Sequence, residues 1–194
     1  GTTMELGIGF SRFFLARILG TLYLLCRLHN DALVPRLRRQ VLRDTVPFLL
    51  FFVAFTLYLL TLNGLTYQVD KQVFVVESYK YLLNFLALPL VTALFLLGVV
   101  GVLYGIGRTL LKPTYTQGIW FVAIGTVFAV WALLLIAGLN NTAFYPSITS
   151  PQSSLCLANS CSSEFTLRTM AIVSLLIPFV LAYIAYMWRA IERD

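Results

Sequence analysis

The sequence predicts an all-α, polytopic membrane protein, and three observations support that prediction. Of the 194 residues, 59% are hydrophobic and only 11% are charged, whereas soluble domains have about 45–50% apolar and about 25% charged residues. The mean hydropathy is +0.85. Stretches almost without charge recur along the chain, and each is close to the roughly 20 residues that a helix needs to cross a bilayer. The composition therefore excludes an ordinary soluble domain, a disordered protein and a disulfide-stapled secreted module.

Four segments have the length and composition of transmembrane helices. We expect them at about residues 47–63, 81–107, 118–139 and 167–189. Lipid offers no hydrogen-bond partner to an open backbone group, so a helix is the structure that such segments adopt. Together they predict a four-helix transmembrane bundle within a single transmembrane domain, residues 1–194.

A further N-terminal helix at about residues 7–26 is either a membrane span or an amphipathic helix. It contains Arg12 and Arg17, and an arginine near the bilayer centre costs about 2.5–3.5 kcal/mol on insertion scales. One interpretation is an embedded cation that pairs with a carboxylate or a cofactor propionate on another helix. The other is a tilted helix whose arginines reach the headgroups. We expect at least one of the two arginines to contact a carboxylate or a partner subunit.

The positive charges predict the topology. Residues 27–46 form a basic loop, which we interpret as cytoplasmic rather than nucleic-acid-binding, because it lies between two apolar segments. From residue 27 onward, Lys and Arg concentrate on the predicted inner side. This orientation makes residues 140–166 an outer loop and places the C-terminus in the cytoplasm.

The predicted outer loop contains two cysteines, Cys156 and Cys161. A disulfide between them is compatible with the oxidising side of the membrane. Two free thiols are the alternative, and the sequence does not decide between them. Cys26, at a helix end, is expected to pack as a small apolar side chain.

The sequence shows no set of residues suited to catalysis or to a cofactor. Membrane haems are usually held by His or Met, and the single histidine, His29, lies in the basic loop, where we expect an ordinary surface side chain. We find no metal-ligand spacing, no acidic residue within a predicted span and no phosphate-binding loop. We therefore predict no catalytic residue, no cofactor-binding residue and no metal ligand in this chain.

Three glycines, Gly98, Gly101 and Gly105, share one face of the predicted helix at 81–107. Small residues allow a second helix to approach closely. We therefore expect these glycines to make packing or partner contacts rather than to bind a ligand. Pro89 is expected to kink the same helix.

Two long stretches resemble subunit II of cytochrome bd-type quinol oxidases. Residues 77–90 read ESYKYLLNFLALPL and are followed by LFLLGVVGVLYGIG. The second stretch reads AGLNNTAFYPS, then SSLCLANSCSSEFTLRTM, and leads into LLIPFVLAYIAYMWRAI. The loop of this family usually has Thr where Cys156 stands here. The resemblance covers about residues 13–191.

The resemblance implies the C-terminal half of a subunit that has eight transmembrane helices. It implies a complex of the bacterial cytoplasmic (inner) membrane that oxidises quinol, reduces dioxygen to water and generates a proton gradient. The b- and d-type haems would belong to a partner, subunit I, and the acidic residues of the proton path to the N-terminal half of subunit II. This chain would hold no haem and would pack against subunit I, that N-terminal half and the lipid bilayer, with no nucleic acid. A structural quinone is a further candidate ligand.

Two other functions are compatible with the residues. A fragment of a small membrane transporter should show an intramembrane charge or a broken helix lining a cavity, and Arg17, Pro89 and Pro178 are its support. A structural membrane adaptor would differ from an oxidase subunit only in the chemistry of its partner.

Overall fold

The computed structural model describes residues 2–28, 33–112 and 114–191. Five helical stretches within these residues are long and apolar enough to cross a membrane, which confirms the prediction of an all-α, polytopic membrane protein. One of the five is the N-terminal stretch Leu6–Arg27. The chain divides into two compact units, Gly1–Cys156 and Leu157–Asp194, and each is described by itself.

The first unit begins with two antiparallel helices, α1 (Thr2–Arg27) and α2 (Val34–Thr61). The predicted loop over 27–46 is therefore wrong from Val34 onward, because α2 begins well before Pro47, which lies inside it. Pro35 lies in the first turn of α2, where no backbone N–H is needed. It therefore favours the start of a helix at this point. Buried side chains then recur at helical spacing: Val41, Asp44, Thr45 and Phe48.

A β-hairpin connects α2 to the next helix. Its strands, β1 (Gly64–Gln68) and β2 (Val73–Glu77), pair antiparallel. The hairpin packs on residues 140–156, and we call the two segments together the cap. The buried apolar side chains of the cap are Phe74, Ala143 and Cys156. The Gln152 side chain donates to the Phe74 carbonyl at 3.3 Å and accepts from its N–H at 2.9 Å, so it satisfies backbone groups that lack a strand partner.

One ion pair lies at the end of the hairpin, just after β2. Lys80 is buried, and its Nζ lies 2.9 Å from Oε2 of Glu77. The Thr66 hydroxyl donates to the same oxygen at 2.7 Å. These contacts hold the pKa of Glu77 below its usual range, with the Thr66 hydrogen bond as the largest cause.

Three further helices complete the first unit: α3 (Lys80–Ala87), α4 (Pro89–Leu111) and α5 (Gly118–Gly138). The helix predicted at 81–107 is thus divided in two at Leu88, because Pro89 lacks the N–H that a continuous helix needs. The Thr92 hydroxyl donates to the carbonyls of Phe85 and Leu88. It thereby satisfies backbone groups that the break leaves open.

Two apolar clusters hold these helices together. The first contains residues of α1, α2, α4 and α5, among them Ile18, Phe48, Val102 and Val122. The second is built on α4 and α5 and includes Val91 and Phe95 with Ala129, Ala132 and Ile136. The first cluster lies toward the end of the bundle where α1 ends and α2 begins. We call this the basic end, and the opposite end the cap end.

The second unit contains three helices: α6 (Leu157–Ser160), α7 (Glu164–Ser174) and α8 (Ile177–Ile191). The Ser163 side chain accepts from the Thr166 N–H and caps α7. The single helix predicted at 167–189 is divided between α7 and α8. The division lies next to Pro178, which has no backbone N–H to donate to the preceding turn. The large apolar side chains of this unit are exposed, as is typical of segments that face lipid or another protein.

The contact between α4 and α5 depends on glycine. A Cβ atom at Gly98 would lie 2.5 Å from the Ala129 backbone nitrogen, and one at Gly105 would lie 2.9 Å from the Gly118 carbonyl oxygen. A Cβ atom at Gly101 would lie 3.3 Å from the Gly125 Cα. The backbones of α4 and α5 therefore lie so close together that Gly98 and Gly105 leave no room for a side chain.

We predict that Gly98→Ala lowers the free energy of unfolding by about 1–3 kcal/mol, the usual cost of overpacking. Gly107→Ala is the matched control on the same helix, because nothing lies within 4 Å of its Cβ position. The measurement is the thermal midpoint of each variant purified in one detergent. Equal midpoints for the two variants would contradict the close contact.

Candidate functional site

An ion pair between two of the spans joins α1 to α2. Arg17 Nε lies 3.1 Å from Oδ2 of Asp44, whose side chain is only 5% exposed, against 45% for Arg17. Gln40 Nε2 donates to the same oxygen at 2.9 Å. The Arg17 guanidinium also lies over the Phe13 ring, 5.6 Å from its centroid. The structure thus brings Arg17 to a carboxylate on another helix.

This pair neutralises a cation and an anion that would otherwise be costly in an apolar surrounding. It is a contact between two helices of the same chain. The chemistry it offers is therefore charge compensation and helix registration, rather than a group presented to a substrate.

Arg12 has different surroundings. It lines a cleft of about 410 Å³ with Ser11 and Leu15, and it pairs with no carboxylate among the residues whose side chains are described. The remaining wall comes mostly from α2, α4 and α5, with Tyr81 of α3, and it is largely apolar. A cleft of this volume is within the range of small-molecule sites, and its lining suits a hydrocarbon chain.

The three glycines predicted as packing or partner contacts all face α5 of the same chain. Gly98 and Gly105 are buried and Gly101 is half-buried, so their packing contact is with this helix. The faces of α4 and α5 that point away from this contact carry large exposed side chains instead, among them Leu97, Val100, Trp120 and Trp131.

At the cap end, Asn84 joins three elements. It is fully buried, and its Nδ2 donates to the Ile136 carbonyl at 2.9 Å and to the Thr142 hydroxyl at 2.8 Å. Its Oδ1 accepts from Asn140 Nδ2 at 2.9 Å. Asn84 therefore ties α3 both to the end of α5 and to the cap.

At the basic end, Arg38 joins α2 to the connection between α4 and α5. Its Nη1 donates to the carbonyls of Thr109 at 2.6 Å and Lys112 at 2.9 Å. Its Nη2 donates to the Tyr115 carbonyl at 3.3 Å. The guanidinium thus satisfies carbonyls that the end of a helix leaves without an intrahelical donor.

Among the described residues, no three His, Cys, Asp or Glu side chains come together as a metal site would need. Met170 and Met187 lie on different helices, and their side chains are 65% and 41% exposed. His29 lies outside the described residues.

Three residues of these contacts were missed as site residues by the sequence analysis: Asp44, Arg38 and Asn84. For Asp44 the sequence does contain an indication. Pro35 marks the start of a helix, because proline is favoured in the first helical turn. A helix started there puts Asp44 on the same face as Val41 and Phe48. The partners of Arg38 and Asn84 lie 52 or more residues away in sequence, and no local pattern indicates them.

These features define the class: a multi-pass helical membrane protein whose described polar side chains fasten helices to each other. The comparison with protein families then specifies it. The family model for cytochrome bd terminal oxidase subunit II matches residues 2–191, and the chain belongs to that family. Membership places it in an oxidoreductase complex with other subunits. Among curated proteins, no sequence matches the chain.

We predict that Arg17→Gln lowers the free energy of unfolding by about 1–3 kcal/mol, because the buried Asp44 carboxylate loses its charged donor. Arg12→Gln, on the same helix, is the control and should have little effect. Arg17→Gln combined with Asp44→Asn should cost less than the sum of the two single changes, since contacting residues are coupled. Thermal midpoints of the purified variants measure this, and strict additivity would contradict the pair.

The disulfide between Cys156 and Cys161 stays a prediction. Cys156 is fully buried and Cys161 is exposed, so Cys161 is the informative residue. A bridge predicts that a membrane-impermeant maleimide labels Cys161 in intact cells only after reduction. Labelling without a reductant, and its loss in Cys161→Ser, would exclude the bridge.

Proposed function

We propose that this chain is the part of a terminal oxidase that packs against a haem-bearing subunit I. The complex would oxidise two quinols, releasing four electrons and four protons, and reduce one dioxygen to two waters. The observation that supports this most is the family match over residues 2–191.

The contribution of the chain to that reaction is structural. The Arg17–Asp44 pair, the glycine contact of α4 with α5 and the Asn84 and Arg38 hydrogen bonds hold its own helices together. The outward faces remain apolar: Leu50 on α2 is 62% exposed and Leu134 on α5 is 67% exposed. Part of this surface would be covered by subunit I and by the N-terminal half of subunit II, and the rest by lipid.

The cofactors would be divided accordingly. The b- and d-type haems would be held by subunit I. A structural quinone, if the complex retains one in this chain, has a suitable place in the 410 Å³ cleft. Its isoprenoid chain would lie against Phe48 and Phe52, with Arg12 and Ser11 as the polar groups nearest its ring.

The complex would lie in the bacterial cytoplasmic membrane, and the charges support an orientation of this chain across it. The ends of α1 and α4 and the beginning of α2 carry Arg and Lys in excess, and such residues favour the cytoplasmic side. The basic end would therefore face the cytoplasm and the cap the outer side. The C-terminus would lie in the cytoplasm.

The test is affinity purification of the tagged chain, in its native complex, from the membranes that contain it. We expect a co-purifying protein with b- and d-type bands in the reduced-minus-oxidised spectrum, together with quinol-dependent oxygen consumption. Gly98→Leu should reduce the recovered haem per tagged chain, whereas Gly107→Leu should not, because only the first position is crowded. The same purification from cells with an untagged chain is the background control.

Crosslinking before detergent extraction guards against loss of a weakly held partner. A crosslinked preparation that contains a partner but no haem would contradict the oxidase function. Solute uptake that depends on Arg17, with respiration unchanged, would indicate a transporter instead.

A further inference from the structure

Positive charge at the basic end is left without carboxylate partners. The described residues place five such cations there: Arg36, Arg39, Arg43, Arg108 and Lys112. None of them forms an ion pair with a described carboxylate. Asp44 is the described carboxylate closest in sequence to Arg36, Arg39 and Arg43, and Arg17 and Gln40 occupy it. The positive charge of the basic end is therefore open to an anion from outside the chain.

The cations of two different helices meet at this end. Arg38 reaches the carbonyls of Thr109 and Lys112, so the first turns of α2 lie beside the last turn of α4. Arg36 and Arg39 flank Arg38 in sequence, and their side chains are exposed. The cations of α2 and those of α4 thus lie at the same end of the bundle, which we treat as one basic surface.

Within this surface, Arg108 is held in place by two tyrosines. Its guanidinium lies 5.5 Å from the ring centroid of Tyr104 and 4.8 Å from that of Tyr115. Its Nη1 also hydrogen-bonds the Tyr104 hydroxyl. Lys112 follows four residues later, at the end of α4, on the same side of the helix. A cation fixed by two aromatic rings loses little conformational entropy when it binds an anion.

We propose that Arg108 and Lys112, framed by Tyr104 and Tyr115, bind the phosphate of an anionic phospholipid. We call these four residues the Arg108 site. The α4 span ends at Leu111, so the two cations lie at the depth of the headgroups. Tyrosine is enriched at that same depth. A nucleic acid or a soluble acidic protein would meet this surface only through the membrane interface, which favours a lipid as the occupant.

The expected strength follows from charge. A basic residue near an anionic membrane surface contributes about 1 kcal/mol, which corresponds to about a fivefold change in affinity. Removing one cation should therefore weaken binding about fivefold, and removing both about 25-fold. The effect should shrink as salt is raised, because exposed charges are screened.

The experiment measures lipid binding to the purified native complex by native mass spectrometry. The probes are phosphatidylglycerol, phosphatidylcholine of the same chain length and inorganic phosphate. The variants are Arg108→Gln, Lys112→Gln and both together. Lys71→Gln is the matched control, because Lys71 is exposed in the hairpin turn at the cap end. The readout does not depend on oxidase activity, so its outcome is independent of the proposed function.

We expect phosphatidylglycerol to bind more tightly than phosphatidylcholine, and the two site variants, but not Lys71→Gln, to abolish that preference stepwise. An unchanged preference in the double variant would overturn the site. Competition by inorganic phosphate at the lipid's own concentration would overturn the lipid as its ligand. Because Lys112 is exposed, Lys112→Gln alone tests the proposal if the double variant does not purify.

Discussion

A helix end that is buried against other helices leaves carbonyl groups without donors, and this constraint organises the first unit of the structure. Water satisfies such groups where a helix end is exposed, but at a buried end the protein must supply the donors. Arg38 supplies donors to the end of α4, and Asn84 supplies one to the end of α5. Each comes from a different helix, so satisfying the carbonyls also fastens the helices to one another.

The two fastened ends explain the distribution of packing between them. Near the basic end, one apolar cluster contains residues of α1, α2, α4 and α5. Toward the cap end, the second cluster is built on α4 and α5, and the cleft lies between these helices and the α1–α2 pair. The glycine contact holds α4 against α5 without any contribution from α1. The α1–α2 pair and the α4–α5 pair can therefore lie further apart at the cap end without loss of the fold.

Hydropathy predicted the spans correctly where the chain is most apolar, and it failed where helices are polar. The stretch at α5 is unmistakable, with a hydropathy of 2.5. The first turns of α2 are charged, so hydropathy predicts a loop there and a helix only from Pro47 onward. A proline within a helix is tolerated when packing supplies the rest of the structure. With that error, Asp44 was placed outside the membrane and Arg17 had no visible partner. The glycine spacing predicted a close contact but not its partner, since Gly101 and Gly125 reveal their proximity only in three dimensions.

The Arg17–Asp44 pair also bears on how α1 enters the membrane. Its span has the lowest hydropathy of the five, 1.4, and it contains two arginines. Two apolar helices would need no such pair, and replacing buried ion pairs by apolar residues is often neutral or stabilising. In α1, however, the arginine is already present. The relevant comparison is therefore between Arg17 with and without a carboxylate partner, and Asp44 on α2 supplies that partner. The two antiparallel helices α1 and α2 are thus more favourable in lipid together than α1 is alone, because Asp44 compensates the charge that Arg17 brings into the span.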